Sequence, residues 1–402
     1  MAEQQGLEWV ENGIHGLMPR WTKEPDIEVI GKLASKYLAG TFKARFFAEG
    51  AFNKLYRVDS DQGSFLMRVT LPVDPHHKTL SEVATIEYVR EEAQVPVPRI
   101  LAFDATNANE LGFEWILMEL VPGQPLRKKW RKLPMKAKEE LIKQLARYQA
   151  KLFRRRFRGI GNIYSSSTQA DIQGLQRDVE NPQFTLGRIV SIIFFLGDHI
   201  SHDVTRGPFR SSYEWMRMRL SMILTDQNRT LDTSEDEDDI EDAETAKESA
   251  ERILEILPSV FPPDEPVSSV LFHDDLSWQN ILVDEAGKIT AIIDWECRNT
   301  YAADNSDEMD YVEEDPLDNE GINSLFWEHL REYECGQLRK VFLNEMSELE
   351  PQWVEEFNNS TPKVEVELAI QAIDGFGSGI VARWLDDYGT DDAWNLRERF
   401  CR

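Results

Sequence analysis

A chain of 402 residues with 41% hydrophobic and 10% aromatic content holds enough apolar material for one large or two medium folded units. Its formal net charge of −27 disfavours nucleic acids and anionic membranes as partners, because phosphate backbones are gripped by clustered Lys and Arg. Three cysteines, Cys297, Cys335 and Cys401, have no metal-ligand spacing and are too few for a disulfide framework. No run approaches the roughly 18 apolar residues of a membrane span, and the first residues lack a secretory or transit pattern, so the expectation is a soluble cytoplasmic protein.

In chain order, residues 1–40 read as an N-terminal helical segment, on the spacing of "PDIEVIGKLASKYLAG" with Gly40 as a stop. "KARFFAEGAFNKLYRVDSDQGSFLMRV" then gives three short strand-like runs separated by "EGAFN" and "SDQG". A helix over "KTLSEVATIEYVREEA" ends at "QVPVPRI", whose prolines favour an extended path. "FEWILMEL" is a further buried strand that stops at "VPGQP". From about 125 the period is helical, and "MKAKEELIKQLARYQAKLFRRRF" puts Leu141, Leu145, Leu152 and Phe153 on one face. The tract 235–244 has eight carboxylates in ten residues, so 226–250 reads as a disordered or solvated acidic insertion.

The densest chemistry lies in "LFHDDLSWQNILVDEAGKITAIIDWE", 271–296. "ILVD", "EAGK" and "ITAIID" form a β-hairpin pattern, with Gly287 giving the turn its backbone freedom. Asp275 and Asn280 lie just before the first strand and Asp294 closes the second, so the hairpin brings them together beside His273. A hard cation such as Mg²⁺ takes oxygen ligands, usually one or two carboxylates beside nucleotide phosphates, and Asn280 and Asp294 can provide them. Asp275 is then free to accept the proton of an attacking hydroxyl. His273 braces the loop. An ordinary acidic hairpin is the competing reading, but the joint spacing H-x-D-x₄-N, strand, turn, strand, Asp-Trp is far more demanding.

"HDDLSWQN…IIDWE" resembles the aminoglycoside phosphotransferase family of the protein-kinase-like superfamily, in particular its fungal branch. The catalytic loop and I-D-W/F motif of that family fall on His273, Asp275, Asn280 and Asp294. "FFAEGAFNKLYRV", "LPVDPHHKTLSEVAT", "VPVPRILAFD", "GFEWILMELVPGQPL" and "GIGNIY" extend the resemblance over roughly 20–300. It implies an α+β, two-lobed protein-kinase-like fold. An N-lobe over 41–122 would have a small antiparallel sheet with one helix; a larger, mainly helical C-lobe over 123–402 would carry the catalytic loop and acceptor site. It also implies ATP and Mg²⁺ as cofactors and a γ-phosphate passed to a hydroxyl of a small molecule.

In that frame "AEGAFNK" sits where a phosphate-covering loop belongs, and backbone N–H groups of Gly50, Ala51, Phe52 and Asn53 are the candidate donors. Arg68 replaces the usual third-strand lysine and can grip two phosphate oxygens with planar geometry. Glu82 matches the family position for its partner, with Glu87 one turn on as the fallback. Backbone groups around Glu119 and Val121 would pair with adenine.

"GFGSG" (375–379) reads as a loop between helices, "DPHHK" as a surface loop, and "RRRFR" as a basic helix end that balances acid elsewhere. After Asp294 the chain departs from the family, with nine carboxylates between Asp304 and Glu320. They either recruit a cationic acceptor or form a solvated loop. The alternative to a small-molecule kinase is a catalytically weak or inactive nucleotide-binding scaffold. A protein kinase is disfavoured, since neither D-F-G nor A-P-E follows.

Overall fold

A computed structural model describes residues 4–12, 16–40, 42–167, 176–177, 182–273, 275–296, 322–373, 377–390 and 394–396. The chain opens with a β-hairpin, β1 (Leu7–Asn12) and β2 (Gly16–Trp21), followed by α1 (Ile27–Ala34). This corrects the helical expectation for 1–40: among the described residues of that segment α-helix is confined to Ile27–Ala34, behind the Asp26 cap. Leu7, Trp9 and Trp21 of the hairpin pack on Leu71, Val73, Val190 and Phe195, a period-2 pattern too short to stand out beside the helical run that follows.

The N-lobe sheet is antiparallel, in the order β3 (Phe42–Glu49), β4 (Asn53–Ser60), β5 (Gly63–Thr70), β7 (Glu114–Glu119), β6 (Ile100–Asp104). Helix α2 (His77–Glu92) is inserted after the third of these strands. Alternation along β5 assigns its faces. Met67 and Val69 join Tyr56, Val58 and Leu117 against Ile30 and Leu33 of α1. Leu66 and Arg68 therefore point to the opposite face, where Val83 of α2 packs on Ile116 and Met118. Strand β6 follows the prolines as an additional edge.

The C-lobe begins with β8 (Gln124–Pro125), α3 (Leu126–Lys129), α4 (Met135–Phe153), β9 (Arg156–Arg158), β10 (Asn162–Ser165), β11 (Gln176–Arg177) and β12 (Phe184–Gly187). Helices α5 (Ser212–Thr233) and α6 (Glu237–Val260) follow, then β13 (Ser268–Val270), β14 (Ile281–Val283) and β15 (Ile289–Ile292). The described chain finishes with α7 (Ile322–Leu349), α8 (Pro351–Asn359), α9 (Thr361–Ile373) and α10 (Ser378–Asp387). One core of this lobe joins α5, α6, α9 and α10 around Trp215, Ile253, Ile370 and Trp384. Among the described residues no helix is long and apolar enough to cross a membrane.

The acidic tract is helical, which corrects the disordered alternative of that reading, while its carboxylates at 235–239 are exposed as the solvated alternative has it. Asp236 caps α6 by accepting from the amides of Asp238 and Asp239, and acid in the first turn suits the positive end of the helix dipole. Behind it Ala243, Ala246, Ala250, Ile253 and Leu257 recur at helix spacing and are buried. The surface-loop reading of "DPHHK" also fails. Asp74 is 1% exposed and takes a two-oxygen contact from Arg188 at 2.7 and 2.8 Å, while His77 opens α2. Polar residues answered from the other lobe look exposed in sequence. The basic helix end does balance acid: Arg154 meets Glu350, Arg155 meets Glu92 and Arg156 meets Glu356. Of "GFGSG", Gly377 caps α10 but Ser378 and Gly379 already belong to that helix, which corrects the loop reading there; Gly375 and Phe376 lie outside the described residues. So does the acidic tract 304–320.

One carboxyl in the helical core sets a pH dependence. Glu367 on α9 has a buried Oε1 with no hydrogen-bond partner among the described residues, and burial pushes its pKa up to about 8, offset only in part by Arg219. Because the folded form holds this proton more tightly than the unfolded one, stability is full at acid pH and falls as pH rises from about 4.5 to about 8. In Glu367→Gln the gap between melting temperatures at pH 5 and pH 8 is expected to narrow; an unchanged gap would show that the carboxylate forms without cost.

Candidate active site

The hairpin β14–β15 is built as its sequence predicts. Ile281 pairs with Ile292 and Leu282 with Ala291, while Gly287, at φ +85°, donates to Asp284 O at 3.1 Å. Strand β14 also pairs with β8, fastening the chain that leaves the N-lobe to the same hairpin. That approach needs a glycine. Gly123 has φ +136°, and a Cβ there would lie 2.4 Å from Thr290 Oγ1 and 3.1 Å from Val283 O.

At the open end of the hairpin, the Ile293 amide donates to Asn280 O at 2.9 Å, which sets Asn280 beside Asp294. Asn280 Nδ2 donates to Asp275 Oδ2 at 2.9 Å and to Asp275 O at 3.0 Å. The imidazole of His273 is 4% exposed, packs edge-on to Trp295 and bonds Ile293 O through Nε2 at 2.9 Å, so it braces the loop against the second strand. Asp294 itself stands at φ +69°, a left-handed conformation that costs a side chain of this kind about 1 kcal/mol. Strain of that kind persists where the surroundings over-determine it, commonly at functional sites.

Opposite this loop, Arg68 Nη1 forms an ion pair with Glu82 Oε1 at 2.7 Å. Glu82, and not the fallback Glu87, faces the sheet. Arg68 Nη2 contacts Glu296, two residues past Asp294, and lies 3.6 Å from Asp294 Oδ1. Lys78 also reaches Glu296, and its Nζ donates to Asn53 Oδ1 at 3.2 Å. Asn53 Nδ2 in turn bonds both Glu296 oxygens, at 2.8 and 2.9 Å. Asn53, Arg68, Lys78, Glu82 and Glu296 are all buried. The flanking cations hold Glu296 well below the usual carboxylate range, whereas burial beside a second carboxylate pushes Glu82 up.

The remaining candidates are placed less specifically. Gly50 N donates to Asn53 O at 2.9 Å and closes the turn, so that amide is spent inside the loop. Ala51 is exposed, and the Phe52 ring packs edge-on to Phe195. The amide of Glu119 donates to Arg99 O as the chain leaves β7, two residues before the half-buried Val121. Sequence reasoning missed Lys78 and Glu296. Lys78 had a signal: it precedes Glu82 by four residues and shares its helix face. Glu296 had none, since what it touches lies over two hundred residues away.

A small antiparallel sheet with one helix, joined by a short linker to a larger helical lobe and facing an Asp–Asn–Asp loop, is the architecture of a kinase-like phosphotransferase. Residues 43–298 match the phosphotransferase enzyme family, and the chain belongs to it. A subtelomeric hrmA-associated cluster protein of Aspergillus fumigatus is 32% identical over 168 residues, covering 41% of this chain and 32% of that protein. Altered inheritance of mitochondria protein 9 of Saccharomyces cerevisiae is 22% identical over 368 residues, covering 80% of this chain and 58% of that one. The chain thus spans about a third to just over half of these relatives. Among solved structures, aminoglycoside phosphotransferase APH(4)-Ia with ADP and hygromycin B shares 18% identity at a TM-score of 0.45, with 89% of this chain and 95% of that one covered. A GDP complex of aminoglycoside 2'-phosphotransferase-IIIa shares 15% at 0.45, covering 93% and 97%.

The strained backbone yields a test that is independent of activity. Asp294→Gly is expected to fold more stably than Asp294→Ala by about 1 kcal/mol, read from paired denaturant melts, because glycine accepts φ > 0 without penalty. Equal stabilities would show that the loop relaxes and stores no strain.

Proposed function

We propose that this protein transfers the γ-phosphate of ATP to a hydroxyl of a small molecule, with Mg²⁺ bound between Asp294 and Asn280. The observation that carries the reading is the buried charge cluster that joins the sheet to the residues around Asp294. Structure alone does not call for it, since apolar side chains packed in the same volume would stabilise as well or better.

The donor set suits a hard cation. Asp294 offers a carboxylate, and Asn280, whose Nδ2 is engaged by Asp275, has its amide oxygen to give. Among the described residues no three His, Cys, Asp or Glu side chains gather to hold a metal unaided, so phosphate oxygens would complete the shell. When bound, the ion neutralises charge that develops on the transferred group. Asp275 accepts the proton of the acceptor hydroxyl and holds that oxygen in line. His273 fixes the loop that carries Asp275. Arg68, held by Glu82, grips phosphate oxygens, assisted by the turn that Gly50 closes, through Ala51, Phe52 and Asn53; Glu119 and Val121 offer backbone groups to adenine. The nucleotide is thus assigned to 41–122 and the acceptor to 123–402. A weakly active, nucleotide-binding scaffold is the second reading, favoured by the engagement of Arg68 with Glu296.

Calorimetry on the purified chain separates the two. ATP binding that requires Mg²⁺ and disappears in Asp294→Asn supports the metal–nucleotide site. Asp275→Asn is expected to keep that binding while losing about 10²–10⁴-fold in ATP turnover. Unchanged turnover would remove Asp275 from the chemistry and leave the scaffold.

A further inference from the structure

We propose that Lys78 is a second phosphate-gripping cation, and that the Glu296 carboxylate occupies the anion site which the triphosphate takes when it binds. The inference rests on the nucleotide reading above. Three donors from three N-lobe elements, Asn53 Nδ2 at the start of β4, Arg68 Nη2 on β5 and Lys78 Nζ on α2, converge on the single carboxylate of Glu296. Two cations and an amide N–H closing on one set of oxygens form an oxyanion-binding nest, and a phosphoryl group presents the same oxygens with more charge.

The occupant of that nest comes from elsewhere. Glu296 belongs to the C-lobe and follows Asp294 by two residues on a stretch with no strand pairing. Lys78 is 1% exposed, and a buried ammonium is costly without a paired anion. Glu296 meets that need in the absence of nucleotide, and a triphosphate meets it otherwise. In departing, the carboxylate leaves both cations to the incoming phosphates. The chain thereby stays paired in either state, and nucleotide affinity is lowered by the competition.

The test is calorimetric binding of MgATP, inorganic tripolyphosphate and adenosine to the full chain and its variants. Glu296→Gln, which keeps the shape and drops the charge, is expected to bind MgATP and tripolyphosphate about ten-fold tighter, with adenosine unchanged. Lys78→Met is expected to weaken both phosphate ligands by about ten- to a hundred-fold, again without effect on adenosine, and Lys78→Arg to restore most of the loss. Lys78→Met/Glu296→Gln removes both charges and guards against misfolding of the single variant; it should bind more weakly than Glu296→Gln alone. If Glu296→Gln binds MgATP equally or more weakly than the native chain, the carboxylate is a fixed strut and the proposal falls while the kinase reading stands. Absence of nucleotide binding in both the native chain and Glu296→Gln overturns the two together.

Discussion

A positive charge placed inside a protein commits the rest of the chain to answer it, and Arg68 is answered from two sides. Its position on β5 is fixed by the alternation that buries Met67 and Val69 on the other face, so the guanidinium must point toward α2. Glu82 meets it from the helix and Glu296 from the far lobe. Much of the architecture serves that meeting: α2 is inserted where its first turns reach β5, and β8 ties the linker to the hairpin that delivers residues 294–296.

The hairpin itself is governed by close approach. Gly123 exists because the linker passes too near Val283 and Thr290 for any side chain, and Asp294 is held left-handed where β15 ends. His273 and Asn280 then fix the exit of β15 through one bond each, to the backbone of Ile293. A short stretch of sequence is thus over-determined by local contacts, which explains why it could be read so easily.

What was legible in the sequence was what is local. The spacing from His273 to Asp294 encodes its own geometry, because a two-stranded turn admits few arrangements. Arg68 and Glu82 were legible through family resemblance. The hairpin of residues 7–21 was hidden because two or three alternating apolar residues are a weak signal. The acidic helix α6 was hidden because carboxylates at a helix start stabilise it while making its composition look disordered. Lys78, Asp74 and Glu296 were misjudged or missed for one reason: each is a charged residue buried by a partner distant in sequence, and composition reports charge without reporting what neutralises it.

Helix α2 lies beside the N-lobe sheet, yet most of its attachments run the other way. Ser81 accepts from Asn162 at 2.9 Å, Asp74 is clasped by Arg188, and Ala84, Ile86 and Tyr88 sit in the core that holds Phe157, Ile163 and Phe184. The helix therefore bridges the two lobes, with Val83 on the sheet and Ala84, Ile86 and Tyr88 in the C-lobe core. The Arg68–Glu82 contact falls where the sheet meets that bridging helix. A shift of the sheet against that helix would therefore change how the arginine is held, because Arg68 rides on the strand and its partner Glu82 on the helix.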